Sequence, residues 1–213
     1  MRIQIRADSV EIDGYVNAVG RDSRTLTDEY GYSYKEQISP GTFARALQVH
    51  KENGQQIPVW LNHNDSRVLG GTDTNLGLEE DSIGLHAHVI IRDAEVVEKA
   101  KNKMLSGWSF GFIPLDSTEE YTSSCHRVIR TEIDLIEVSL IDDSMIPVYA
   151  GTSVHARADG KNDQVLIRAM DNDAIYHFAI EQNAEPEKHT PVEKKPVDYS
   201  NYNNTISKLR SFQ

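Results

Sequence analysis

The sequence predicts a β-rich α+β domain over residues 1–155, followed by a C-terminal tail over residues 156–213 that is flexible and partly disordered. Three observations point there. Apolar and polar residues alternate with a period of two in several segments before residue 155. Two stretches of the same region carry the spacing and caps of helices. Beyond it, EQNAEPEKHTPVEKKPVDYSNYNNT gathers Pro, Glu, Lys and Asn without periodicity, a composition that buries too little apolar surface to offset the entropy of ordering.

Taken in order, RIQIRA (2–7) and SVEIDGYVNAV (9–19) alternate as half-buried strands do. Ser39-Pro40-Gly41-Thr42 sets a proline and hydroxyl caps ahead of FARALQVH, which predicts a short helix. IPVWLNH (57–63) is an apolar run that turns polar, the pattern of a buried strand emerging at its C-terminal end. VLGG (68–71) and LGLEEDSIGLHAHVII (76–91) read as strands, with a hairpin tip at Glu80-Asp81-Ser82. Asp93 caps AEVVEKAKNKML, whose Ala94, Val97, Ala100, Met104 and Leu105 fall at helical spacing. WSFGFIPL (108–115) follows as a strand stopped by Pro114, and RVIRTEIDLIEVSLI (127–141) as a strand pair or one bent strand. QVLIRAMDNDAIYHFAIE (164–181) fits an amphipathic helix or two weak strands. No internal repeat is present.

Charge and composition narrow the function. The first 160 residues hold 15 Lys+Arg against 25 Asp+Glu, a body that repels a phosphate backbone, so no nucleic-acid partner is expected. The one cysteine, Cys125, rules out an internal disulfide framework and a Cys-based zinc site, and it suits a reducing compartment. The opening residues lack the apolar core of a secretory signal. No apolar run approaches the roughly 20 residues that span a bilayer. A soluble, cytoplasmic protein with no membrane partner is expected.

Gly107-Trp108-Ser109-Phe110-Gly111 spells G-x-S-x-G, the nucleophile elbow of α/β-hydrolases. That elbow needs a strand before the serine and a helix after it. Here the helical stretch precedes Ser109 and a strand follows, so the elbow reading fails. Ser109 keeps its interest as a nucleophile on another scaffold, because triads are defined by roles and not by chain order.

A serine hydroxyl needs a base. His50 reads as a solvated helix residue, whereas His63 ends the apolar strand IPVWL inside Asn62-His63-Asn64-Asp65. A ring delivered to the polar mouth of a buried strand suits general-base chemistry, and it equally suits a turn among Asn and Asp. Glu137 sits within LIEVSLI among apolar neighbours, where a carboxylate is costly unless paired. Arg127, Arg130 or a histidine could each supply the partner. A rival reading is a metal-dependent hydrolase using His63 with His86 and His88, an H-x-H pair on one face of a strand. The apolar alternation around that pair turns both rings toward solvent.

Several segments together resemble the prohead (capsid maturation) serine proteases of tailed bacteriophages. They are ISPGTFARAL (38–47), VWLNHNDSRVLGG (59–71), EEDSIGLHAHVII (79–91), SGWSFGF (106–112) and DLIEVSLID (134–142), in the family's order. Where the family usually reads Asn-His-Asp, this chain has Asn62-His63-Asn64, and DDSMIPVY is a looser version of its Pro-Ala ending. The resemblance implies a compact, mostly antiparallel β-barrel-like core flanked by helices, similar to herpesvirus assembly proteases. It implies Ser109 as nucleophile, His63 as base and Glu137 as orienting acid, with His126 as the competing third member. It also implies a serine endopeptidase without cofactor or metal, acting in the host cytoplasm inside the assembling procapsid. Its substrate would be the major capsid protein and its scaffold segment, with self-cleavage and self-association. A non-catalytic assembly or scaffolding module on the same fold is the alternative. Donors for an oxyanion are open between backbone N–H groups near Ser109 and a loop around Arg127 and Arg130.

Overall fold

Two open β-sheets and two helices make up the fold, seen in a computed structural model that describes residues 1–28, 30–122, 125–144, 152–156 and 162–169. The strands are β1 (Arg2–Ile5), β2 (Val10–Ala18), β3 (Leu26–Thr27), β4 (Ser33–Ile38), β5 (Pro58–Leu61), β6 (Asn64–Gly71), β7 (Leu76–Glu80), β8 (Gly84–Ile91), β9 (Leu105–Tyr121), β10 (His126–Asp142), β11 (Thr152–Ala156) and β12 (Asn162–Ala169). Helix α1 spans Thr42–Glu52 and α2 spans Ala94–Lys101. The smaller sheet runs β1-β2-β8-β7. The larger runs β11-β12-β9-β10-β4-β3, with β5 also on β10 and β6 on β5. The α+β class and the excess of strand match the sequence reading. The barrel does not: the described strands leave two open sheets. Strands β1 and β7 end the smaller sheet and β11 and β3 end the main path of the larger, and among the described residues no pairing joins these ends into a ring.

The inner faces carry the alternation that the sequence shows. Val10 and Ile12 on β2, and Leu85, Ala87, Val89 and Ile91 on β8, are buried. Facing them from the larger sheet are Phe110 and Phe112 on β9 and Leu135, Val138 and Leu140 on β10, all within one core. Phe43 of α1 packs edge-on against Phe110, ring centroids 5.4 Å apart. The residues between them in sequence, Ser109 and Gly111 on β9 and Glu137 and Ser139 on β10, therefore share the opposite face.

Three elements differ from expectation for identifiable reasons. Helix α1 starts with no side-chain cap of its own. The Glu80 carboxylate of β7 accepts from the Gly41 and Ala44 backbone N–H groups, a cap supplied from a distant strand. Helix α2 keeps its expected cap, Asp93 accepting from the Val96 N–H at 3.1 Å, but it ends at Lys101. Lys103 there takes a left-handed conformation (φ 58°), which turns the chain so that Leu105 begins β9. Pro114 does not stop β9. It lies where the β9–β10 ladder shifts register and beyond the last β9–β12 pair, Leu166 with Phe112, so its missing N–H breaks no regular ladder. β10 is one long bent strand, with β4 and β5 parallel to its two halves. Of the 164–181 segment, residues 162–169 form β12, which joins the larger sheet beyond residue 155; the rest lies outside the described residues, as does most of the expected tail.

Candidate active site

The larger sheet places β5, β10, β9 and β12 side by side, with Trp60, Ser139, Ser109 and Ala169 in one row across them. Between β5 and β6 the chain reverses through two residues, Asn62 and His63, both left-handed at φ 56° and 55°. Such a two-residue loop is the tight hairpin connection in which both central residues have positive φ. Asparagine tolerates this well. For His63 it costs about 1–3 kcal/mol, a strain that persists where surrounding contacts over-determine it. The contacts are present: the Asn62 N–H donates to the Leu140 carbonyl (3.0 Å), its side-chain oxygen accepts from the Asp142 N–H (3.0 Å), and the His63 N–H donates to Ser139 Oγ (3.1 Å). The hairpin thereby lays the imidazole across β10 and onto β9.

There His63 joins the other two residues singled out in the sequence. Its Nδ1 lies 2.8 Å from Glu137 Oε1 and its Nε2 lies 2.8 Å from Ser109 Oγ. A carboxylate is acceptor-only, so Nδ1 carries the hydrogen, and in the neutral ring Nε2 is left as an acceptor toward the serine. Glu137 is 2% exposed, and its second oxygen accepts from Ser139 Oγ at 2.5 Å. Both oxygens of this buried carboxylate are thus satisfied. Ser109 is itself only 1% exposed, because β12 lies along the outer edge of β9 and the Ser109 hydroxyl also reaches the Arg168 carbonyl at 2.8 Å.

Gly111, the last residue of the G-x-S-x-G spelling, has a specific task. It stands opposite Glu137 in the ladder, and a Cβ there would lie 2.6 Å from Glu137 Oε1. The glycine is the space through which the carboxylate reaches the ring. Gly111→Ala must push the buried Glu137 carboxylate off its hydrogen bonds and crowd Val165 Cγ1 at 3.2 Å, so it is expected to lower the Tm. Thermal melting of the variant beside wild type checks this.

The other candidates lie elsewhere. His126 opens β10 at its far end, stacked on Tyr121 and facing Glu119. His86 faces Asp13 and Glu79 and His88 faces Glu11, all on the smaller sheet, whereas His63 belongs to the larger one. Among the described residues no cluster of three or more His, Cys, Asp or Glu could hold a metal ion. Arg127 is held by Asp22 (2.6 Å) and Glu120, and Arg130 by Glu36 and Ser117, so neither guanidinium is the partner of Glu137. His50, read as a solvated residue, is largely buried and pairs with Asp134 at 2.9 Å.

Asp142 fixes the end of the His63 hairpin to α2. Burial pushes its carboxyl up, but the Ser144 hydroxyl and the Lys99 ammonium at 2.9 Å outweigh this and hold it well below the usual carboxylate range. A folded-state value below the unfolded one, about 3.9, gives stability that is present above that pH and lost as pH falls toward the folded value. Asp142→Asn should therefore flatten the fall in urea stability of the wild type below about pH 4.

The acid–imidazole–hydroxyl row on a β-rich α+β scaffold is the arrangement of a serine hydrolase centre. The chain belongs to the caudovirus prohead serine protease family, whose model matches residues 1–164. No curated protein and no solved structure matches closely enough to add a relative or a fold neighbour. Among the described residues no helix is long and apolar enough to cross a membrane. Sequence reading missed Ser139, although its position two residues after Glu137 puts it on the same strand face. It also missed the Arg168 contact, which no local pattern signals.

Proposed function

We propose that this protein is the maturation endopeptidase of a tailed-phage prohead, with Ser109 as nucleophile, His63 as general base and Glu137 as the orienting acid. The observation that carries the reading is the unbroken row Glu137–His63–Ser109, with 2.8 Å at each step. His63 Nε2 takes the Ser109 proton as Oγ attacks a peptide carbonyl carbon, and the imidazolium then delivers that proton to the leaving amine. A water attacks the acyl-enzyme with the same base, and the carboxyl product leaves. Glu137 holds the Nδ1–H tautomer and offsets the transient positive charge, while Ser139 keeps the carboxylate from rotating.

Membership of the prohead protease family supports capsid protein in the procapsid as the substrate, with its scaffold segment as the portion removed. The same chemistry acts on the protease itself, and self-association would couple its activity to assembly. The extended segment β12, already paired with β9 beside Ser109, supports a reading in which an extended chain is presented to the nucleophile. Electrophoresis tests it. Incubated wild-type protein should shorten itself, with or without EDTA, while Ser109→Ala stays full length. Equal banding of the two proteins would refute the peptidase, and EDTA-sensitive shortening would return the metal-hydrolase alternative.

A further inference from the structure

β12 lies where an extended substrate would lie. One edge of β9 is filled by β10; along the other, β12 runs antiparallel with Leu166 opposite Phe112, Ile167 opposite Gly111, Arg168 opposite Phe110 and Ala169 opposite Ser109. Adding a strand to a sheet edge is a general way of binding an extended peptide, with main-chain bonds for affinity and pockets for alternate side chains. The Arg168 carbonyl is the main-chain group at the nucleophile, 2.8 Å from Ser109 Oγ.

The Arg168 side chain occupies a built pocket. It is 7% exposed, its guanidinium reaches both oxygens of Glu36, and it lies over the Phe112 ring at 5.7 Å from the centroid. Glu36 is 3% exposed. Arg130 engages its Oε2, while Oε1 is met by Arg168 Nε. A buried carboxylate that keeps Arg130 on Oε2 and still takes Arg168 on both oxygens is a receptor for a second guanidinium, bound in a two-pronged, charge-assisted way.

The Ser109 hydroxyl has one hydrogen and two acceptors within 2.8 Å, His63 Nε2 and the Arg168 carbonyl. While the hydrogen points to Arg168, the base cannot withdraw it. We infer that the outer edge of β9 is the substrate-binding edge, that Glu36 and Phe112 form its subsite for an arginine side chain on the amino side of the bond at Ser109, and that β12 is the resident occupant keeping the site latent. This rests on Ser109 being the nucleophile.

The test is the rate at which a fluorophosphonate labels Ser109 in the full-length chain. Apparent reactivity scales with the fraction of molecules whose edge is open, so wild type should label slowly and Arg168→Ala about tenfold faster or more. Ile167→Pro, which disturbs the β9–β12 ladder without deleting the Arg168 side chain, should also label faster. The peptide QVLIRAMD (residues 164–171) should slow labelling of Arg168→Ala, and the same peptide with alanine in place of arginine should not. Equal rates in wild type and both variants would overturn the inference, as would inhibition indifferent to the peptide's arginine; in either case labelling itself leaves the nucleophile reading standing. Absence of labelling in all of them, as in the Ser109→Ala blank, would overturn the nucleophile reading and this inference with it.

Discussion

Ser109→Ala and His63→Ala should each lower the peptidase rate by about six orders of magnitude, and the double variant should lose little more. The near-identity of these losses is the diagnostic part. In the proposed mechanism hydroxyl and imidazole act on one proton, so removing either ends the transfer that the other serves. Neither substitution should disturb the fold greatly. Ser109 contributes only its hydroxyl contacts to His63 and the Arg168 carbonyl, and the His63 hairpin retains its backbone bonds to Leu140 and Ser139. A variant melting close to wild type with no turnover would separate chemistry from stability. Independent, additive losses of modest size would show that the two residues do not form a unit.

Glu137→Gln carries the second large effect, a fall of about 10⁴ in rate. The amide keeps the volume of the carboxylate but can present its NH₂ to Nδ1, which selects the tautomer with the hydrogen on Nε2 and turns the base away from Ser109. Ser139 Oγ loses an anionic acceptor as well. His126→Ala should leave the rate at the wild-type level, since that ring stacks on Tyr121 at the far end of β10. The reverse outcome, an inert His126→Ala beside an active Glu137→Gln, would move the third role away from Glu137.

Much of this site is legible in the amino-acid sequence, and the legible part is strand-borne. Ser109 and Glu137 are polar residues in otherwise apolar period-two segments, so their anomaly is visible by pattern alone. His63 is visible as the polar end of IPVWL, yet the residues alone leave it divided between a base and a turn. In the fold these two readings do not compete, since the turn is what aims the ring at Ser109. The hidden features depend on pairing between distant strands. The space that Gly111 provides exists only because β10 sets Glu137 opposite it, and the Glu80 cap on α1 joins residues far apart in sequence. The Glu36–Arg168 contact likewise spans most of the domain. The expected barrel fails for a related reason: alternation reports which face of a strand is buried, but not whether the last strand meets the first.

The most direct test of the central claim is to treat the full-length protein to completion with a fluorophosphonate and map the adduct by peptide mass spectrometry. A single phosphonyl group on the peptide containing Ser109 is expected in wild type. None is expected in Ser109→Ala, and a greatly slowed reaction is expected in His63→Ala. An adduct on any other serine, or one retained in Ser109→Ala, would contradict the assignment of Ser109 as the nucleophile.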